Sequence, residues 1–398
     1  MDHILVVNAG SSSLKFEVFE LGSGEELKRR LKGKVDGIGT RPRFTASNGA
    51  GVMAIDETFD AKKVKTLPEA LTVTRDRLRA YFAGVSPSAV GHRVVHGGPA
   101  YSSPVMVDKT IIAQLEKYIP LAPLHQPSNL AVIRAIRERS PEIPQVACFD
   151  TAFHRGHPEV ADRYAIPDEL YAEGVRRYGF HGLSYEYIAQ CLPEIAPDIA
   201  AGRVVVAHLG SGASLCAMVK GRSVESTMGF SALDGLPMGT RCGQIDPGVV
   251  LYLIGEKGMK PKEVEQFLYH DCGLKGLSGL SSDVRDLQGS CTPRGKFALD
   301  YFVYRIALLA GSLVAAMGGI DGFVFTAGIG ENAPDIRQAV ATRLSWFGLE
   351  LDATANDKGE RLISSRSARI PCYVIPTDEE LMIARHTLAT LRQTRTLQ

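Results

Sequence analysis

Short apolar runs that end in small or polar residues punctuate this chain, and segments of helical period fill the gaps between them. Ile4 to Val7 runs into Asn8-Ala-Gly-Ser-Ser-Ser-Leu-Lys15 and then into alternating Phe16, Val18 and Leu21. The pattern predicts a strand, a tight glycine/serine turn and a returning strand. Val204 to Ala207 leads into His208-Leu-Gly-Ser-Gly212 and returns through Leu215 to Val219. Gly10 and Gly210 stand half a chain apart, so each half opens on the same unit. That repeat predicts a duplicated α/β architecture with a cleft between its halves.

Between these hairpins, Gly22 to Gly51 reads as extended hairpins with a mobile loop, and Asp60 to Phe82 as a surface helix. Ala89 to His96 reads as a strand stopped by Gly97-Gly98-Pro99, and Gln145 to Asp150 as a strand ending on a carboxylate. Helices are expected over Val107–Tyr118, Asn129–Arg139, from Ser184, and over Pro261–Tyr269. Phe297 to Met317 reads as a long apolar helix, buried, whose Tyr, Asp and Arg residues argue against a membrane span. A third glycine turn, Gly328-Ile-Gly-Glu-Asn332, follows the strand Phe323 to Thr326, with Asn332 as the N-cap of the next helix. Thr377-Asp-Glu-Glu380 fits a capping box, Thr377 at the cap and Glu380 three residues on, which leaves Glu379 free for a metal.

Composition narrows the functional classes. The 398 residues carry a formal net charge of +1, which selects neither nucleic acid nor a membrane surface as partner. The seven cysteines form no C-x-x-C pair, so neither a zinc site nor a disulfide framework is indicated, and a reducing cytoplasm is expected. No basic leader precedes the first strand, and no signal peptide is expected. G-x-x-x-x-G-K-[ST] is absent, which excludes a P-loop enzyme. Gly328-x-Gly330-x-x-Ala333 matches a loose dinucleotide fingerprint, but too little chain follows it for a dinucleotide half and its twin.

The candidate chemistry is that of anions. The Asn8–Lys15 turn can cradle a phosphate, although an ordinary hairpin tip accounts for it equally well in isolation. Arg93 and His96 sit at a strand end, where sites in α/β sheets gather, with an edge strand as the alternative. His125 lies in a rigid proline turn. His181 follows two arginines at a helix start, which suits an anion. Met238 to Pro247 is a long irregular segment with Arg241 as its strong cation. Asp283 and Arg285 suit a ribose and a base, with a plain N-cap as the alternative. A transition-metal site on Asp150, His154 and His157 is disfavoured by the irregular turn and by Pro158.

Taken together these stretches resemble the acetate kinase family, which also includes propionate and butyrate kinases. The resemblance is carried by Asn8–Lys15, His92–Gly98, Leu121–His125, Phe149–His154, Tyr178–Gly182, Met238–Arg241, Ser281–Asp286, Gly328–Asn332 and Thr377–Glu380, in order and nearly end to end. It implies two actin-like (ribonuclease H-like) domains with ATP in the cleft. The first would span 1–150 and the second 151–384, the latter binding nucleotide and carrying a dimer interface. A helix of about 385–398 would pack back on the first. It implies a homodimer and reversible, Mg²⁺-dependent transfer of a phosphoryl group from ATP to acetate, Mn²⁺ substituting, to give acetyl phosphate and ADP. Asn8 and Glu379 would hold the metal. Lys15 would lie by the phosphates, with His208, Leu209, Gly210, Ser211, Gly212, Asp283, Val284, Arg285, Gly328, Ile329, Gly330, Glu331 and Asn332 around the nucleotide. Arg93 would bind the carboxylate or acyl phosphate and His125 would also meet the substrate, with Val95, Leu124 and Phe180 lining a small apolar pocket for the acyl methyl. Asp150, His181 and Arg241 would be catalytic. Three positions depart from the family pattern: Ser211 replaces a common Asn, Ala232 a common Pro of the acyl pocket, and Gln126 a common Asn. Alternatives are a propionate kinase, an actin-like ATPase without a carboxylate acceptor, or a sugar kinase, which would want a more polar pocket.

Overall fold

The computed structural model describes residues 3–10, 13–22 and 26–396, the last stretch without the side chain of Arg395. Ser11 and Ser12 of the first glycine/serine turn lie outside the described residues. The chain divides into two compact units, Met1–Phe153 with Asp378–Gln398, and His154–Thr377.

The first unit is built on an eight-stranded sheet. Its strands are β1 (His3–Ala9), β2 (Leu14–Leu21), β3 (Leu27–Asp36), β4 (Arg43–Asn48), β5 (Met53–Thr58), β6 (Ala89–Val94), β7 (Val105–Met106) and β8 (Gln145–Phe149), in the order β5-β4-β3-β2-β1-β6-β8-β7. β1 is buried along its whole length and runs parallel to β6, which is why it reads as continuous apolar sequence rather than as an alternation. β3 meets solvent on one face, and its Lys/Arg positions alternate with Leu31 and Val35 accordingly. Helix Leu67–Tyr81, helix Gln126–Arg139 and the inner sheet face close a core around Val7, Phe16, Leu31, Phe44, Leu71 and Val132.

The second unit carries a five-stranded sheet, β9 (Arg203–Leu209), β10 (Ala213–Val219), β11 (Arg222–Ser226), β12 (Gly322–Thr326) and β13 (Cys372–Val374), in the order β11-β10-β9-β12-β13. The middle of the first sheet, β3-β2-β1-β6-β8, repeats this order with the same senses: two antiparallel ladders, then two parallel ones. The hairpin tips match as well. Gly10 N–H donates to Ser13 O at 2.9 Å, and Gly210 N–H to Gly212 O at 3.0 Å.

Three local expectations are corrected. Gly328–Asn332 is not an open turn; it lies in a helical turn, Ala327–Asn332. Ala333 stands at the start of the following helix, Pro334–Arg343, and Asn332 Nδ2 turns back to Gly328 O at 2.9 Å. The cap of the helix Glu379–Thr396 is Asp378, not Thr377, because Asp378 Oδ1 accepts from Leu381 N–H at 3.0 Å. Arg29 also grips Asp378, at 2.6 and 2.8 Å, so the competing cap is chosen by a partner on β3. The long apolar helix, Pro293–Met317, buries only one face, that of Ala298, Phe302, Ile306 and Ala310, while Phe297, Tyr304 and Leu308 stay exposed. It is long and apolar enough to cross a membrane by length and composition alone.

Candidate active site

In the first unit, the carboxyl ends of three parallel strands and one helix start supply a charged cluster. Asn8 ends β1, Arg93 lies near the end of β6, Asp150 follows β8, and Glu379 opens the last helix. Such strand ends leave side chains and backbone groups free for a ligand. Arg93 donates to both oxygens of Asp150, Nε to Oδ1 at 3.0 Å and Nη2 to Oδ2 at 2.5 Å. Its Nη1 lies 3.4 Å from Asn8 Oδ1, and its Nε 3.9 Å from Glu379 Oε2. Lys15 sits opposite Asn8 in the β1–β2 ladder. One guanidinium therefore serves two carboxyl groups, Asp150 buried and Glu379 half-buried. Burial pushes the Glu379 carboxyl up to about 7 despite Arg93, with Asp150 and Glu380 adding repulsion. Burial also works against the Arg93 charge, but Asp150 and Glu379 outweigh it and hold the guanidinium above its ordinary value. An unneutralised cluster of oxygen donors suits a hard divalent cation. Asn8, Glu379 and Asp150 fit one, although no group of three His, Cys, Asp or Glu side chains poised for a metal occurs among the described residues.

The segment after β6 is held from below. Asn129 Oδ1 accepts from Val95 N–H at 3.0 Å, and its Nδ2 donates to Ala9 O at 2.9 Å, so one amide ties the ends of β1 and β6 together. Gln126, fully buried, pairs with the His96 backbone in both directions. His96 is structural, its Nδ1 accepting from Gly98 N–H at 2.8 Å. Val95 is buried, while Leu124 and His125 are half-buried in the turn that precedes helix Gln126–Arg139.

In the second unit, His181 occupies the residue before helix Gly182–Ile195 with φ of 57°, a conformation costly for a side chain with a Cβ. Its Nδ1 is 2.8 Å from Ser214 Oγ on β10, and Tyr185 OH is 2.6 Å from the same oxygen. A neutral ring accepting from Ser214 keeps its proton on Nε2. That nitrogen faces the tip of the β9–β10 hairpin. A Cβ placed on Gly212 would lie 3.1 Å from His181 Nε2 and 3.0 Å from Arg241 Nη2. Arg241 is anchored through Nη1 to Ala232 O at 2.9 Å, a contact with the backbone that is indifferent to the Ala-for-Pro change. The Arg241 segment rests on Gly273, whose φ is 62° and where any Cβ would fall 2.0 Å from Met238 O. His208 is buried beneath His181, the rings stacked at 4.1 Å, with Nδ1 2.8 Å from Ser184 Oγ.

Beside the hairpin tip opens a cavity of about 460 Å³. Gly210, Ser211, Asp283, Val284, Arg285, Gly328, Ile329 and Asn332 all line it, as do Leu274, Gln288 and Phe302, which the sequence reading did not single out. Asp283 caps the helix Val284–Gly289 and pairs with Arg285 at 2.5 Å. Leu209, Gly330 and Glu331 stand off the cavity wall: Leu209 and Gly330 are buried, and Glu331 Oε1 accepts from Thr377 N–H at 3.2 Å. Phe180 is buried, with its carbonyl accepting from His154 Nε2 at 2.9 Å. His154 and His157 meet at Ser223, which accounts for them without a metal.

A family model described as the acetokinase family matches residues 3–385. The chain belongs to the acetokinase family. It is 61% identical to an acetate kinase of Nitrobacter hamburgensis, covering 98% of this chain and 96% of that one. Among solved structures it resembles a propionate kinase from Francisella tularensis, 34% identical with a TM-score of 0.90, and an acetate kinase from Porphyromonas gingivalis, 35% identical with a TM-score of 0.85. Each comparison covers 98% of this chain and 100% of the other. The two related sheets are those of the actin-like fold of these acid kinases.

Proposed function

We propose that the protein is an acetate kinase, transferring the terminal phosphoryl group of ATP to acetate, reversibly and by direct in-line displacement. The observation that carries the reading is the meeting of Arg241 Nη2 and His181 Nε2 at Gly212, next in the chain to Gly210 and Ser211, which line a cavity of about 460 Å³. Phosphoryl transfer asks little covalent chemistry of a protein; it asks for donors fixed where negative charge develops. Arg241 and His181 supply them, and the Gly210–Gly212 tip brings backbone close to the phosphates. The nucleoside lies against Ile329, Val284 and Phe302, with Asp283 and Arg285 at the ribose and base. Arg93 receives the acid's carboxylate, while Val95 and Leu124 take its methyl group and His125 its polar edge. Acetate is already ionised and needs no strong base, so Asp150 orients Arg93 rather than removing a proton. Asn8 and Glu379 would hold Mg²⁺ or Mn²⁺, which would supply positive charge against the negative phosphates; Lys15 would add charge there. Acetate is favoured over propionate by the higher identity to acetate kinases.

The test is to trap acyl phosphate with hydroxylamine after incubation with ATP, Mg²⁺ and each acid. Acetate should give the highest kcat/KM, with each added methylene worth ~1–3 kcal/mol in an apolar pocket. No hydroxamate from acetate ends the reading. Arg241→Ala should lower kcat by ~10³-fold or more and move either KM far less.

A homodimer is part of the same proposal. Helix Pro247–Gly255 is almost wholly apolar yet buries no residue, with Leu251 69% exposed, and a second copy would cover it. Leu251→Glu should shift the sedimentation coefficient towards that of a monomer.

A further inference from the structure

Three consecutive residues, Gly179 to His181, lead into helix Gly182–Ile195, and two of them have left-handed backbone: Gly179 with φ of 73° and His181 with φ of 57°. Glycine adopts it freely, but at His181 it persists only where the surroundings enforce it. Here they do so through His154, a fully buried imidazole. Its ring fills the space that a Gly179 side chain would need, since a Cβ there would lie 2.6 Å from His154 Cδ2. Its Nε2 lies 2.9 Å from Phe180 O.

The polarity of this bond follows from chemistry. A carbonyl oxygen only accepts, so His154 carries a proton on Nε2. Burial keeps the ring neutral by pushing its pKa down to about 3, which makes Nδ1 an acceptor. Nδ1 lies 2.8 Å from Ser223 Oγ on β11, and the single hydroxyl proton of Ser223 goes there. His157 Nε2, 2.6 Å from the same oxygen, must then be a donor, and His157 Nδ1 is left without a partner among the described residues. The chain runs one way: His157 to Ser223 to His154 to the Phe180 carbonyl. A bulge between Ala217 and Met218 lies on β10, the strand that pairs with β11.

We propose that His154 and Ser223 are positioning residues that lock the Phe180–His181 peptide, so that His181 Nε2 is aimed at the transferring phosphoryl group. His181 is thus held twice, its ring by Ser214 and its backbone by the His154 chain. The inference rests on the role given to His181 above, and the measurements separate the two.

Nitrogen-15 NMR of the histidine-labelled enzyme, with His154 assigned by its loss in His154→Gln, should show a neutral ring protonated on Nε2 from pH 6 to 8. A ring protonated on Nδ1 would overturn the wiring. In steady-state kinetics, His154→Leu should lower kcat by roughly 10²-fold, as a misplacement near 1 Å does, with both KM values within about threefold. His154→Gln keeps an N–H within reach of the carbonyl and should recover most of that loss. Should His154→Leu not fold, Ser223→Ala decides: it removes one hydroxyl and should cost about tenfold in kcat. A Gln variant no better than Leu, or Ser223→Ala at wild-type kcat, sinks the proposal. His181→Ala with undiminished kcat beside an intact His154 tautomer would instead remove the catalytic role of His181.

Discussion

Adding one methyl group at Gly212 probes the site more sharply than removing a charge does. Gly212 is half-buried and has ordinary φ, so alanine fits its backbone. The new Cβ would stand 3.0 Å from Arg241 Nη2 and 3.1 Å from His181 Nε2. Comfortable contact begins at about 3.5 Å, so each group must retreat by about 0.5 Å. A displacement of 1 Å costs ~10²-fold, so each retreat is worth ~10-fold, and the pair acting on one phosphoryl group ~10- to 100-fold. That is about 1.4–2.7 kcal/mol of transition-state stabilisation. Folding should hardly notice, because the loss of chain entropy in the unfolded state offsets the squeeze by ~0.4–1 kcal/mol. Initial rates from a pyruvate kinase–lactate dehydrogenase couple, with ATP and acetate varied separately, give kcat and both KM values. The expected pattern is a lowered kcat, KM values within about threefold, and an unchanged melting temperature. A kcat within twofold of wild type, or a loss confined to KM, would show that the hairpin tip does not face the reacting group.

Arg93→Ala strands Asp150 and Glu379 without their counter-charge; urea unfolding should show a loss of about 3–5 kcal/mol, and the KM for acetate should rise at least tenfold. Ile329→Trp puts an indole into the 460 Å³ cavity and should raise the KM for ATP, leaving that for acetate unmoved. Burial lowers His92 and His157 from 6.5 to about 4, so both are neutral in the native state and charged in the unfolded chain as pH falls. Their contribution is complete above pH 6.5 and is lost down to pH 4, about 3 kcal/mol each. Urea midpoints measured across that window should fall, and His92→Leu should reduce the slope by about one proton.

The strands and the half-chain repeat were legible because they depend on local order: apolar runs, glycine tips and their spacing. In the first unit, Arg93 and Asp150 were legible as strand-end residues and Glu379 as a carboxylate at a helix start, while their grouping with Asn8 came from the family resemblance. What escaped was decided by distant partners. Thr377 and Asp378 are both good caps by residue type, and Arg29 decides between them from β3. Asn129 binds Ala9 O across 120 residues of sequence, and nothing nearby announces it. Gly273 is one of 40 glycines until the Met238 carbonyl is seen against it. The exposed face of Pro293–Met317 has the composition of a buried one, so periodicity could not expose it.

Helix Glu379–Thr396 packs on β1, β6 and β8, although it leaves the ribosome after every other described element. The second unit is one unbroken stretch and can close during synthesis. The first cannot, because its sheet waits for a cover encoded more than two hundred residues later, together with Glu379. Translation order thus withholds the carboxylate cluster until the second unit has emerged, and termination ahead of Asp378 should yield a folded second unit beside an unfinished first one.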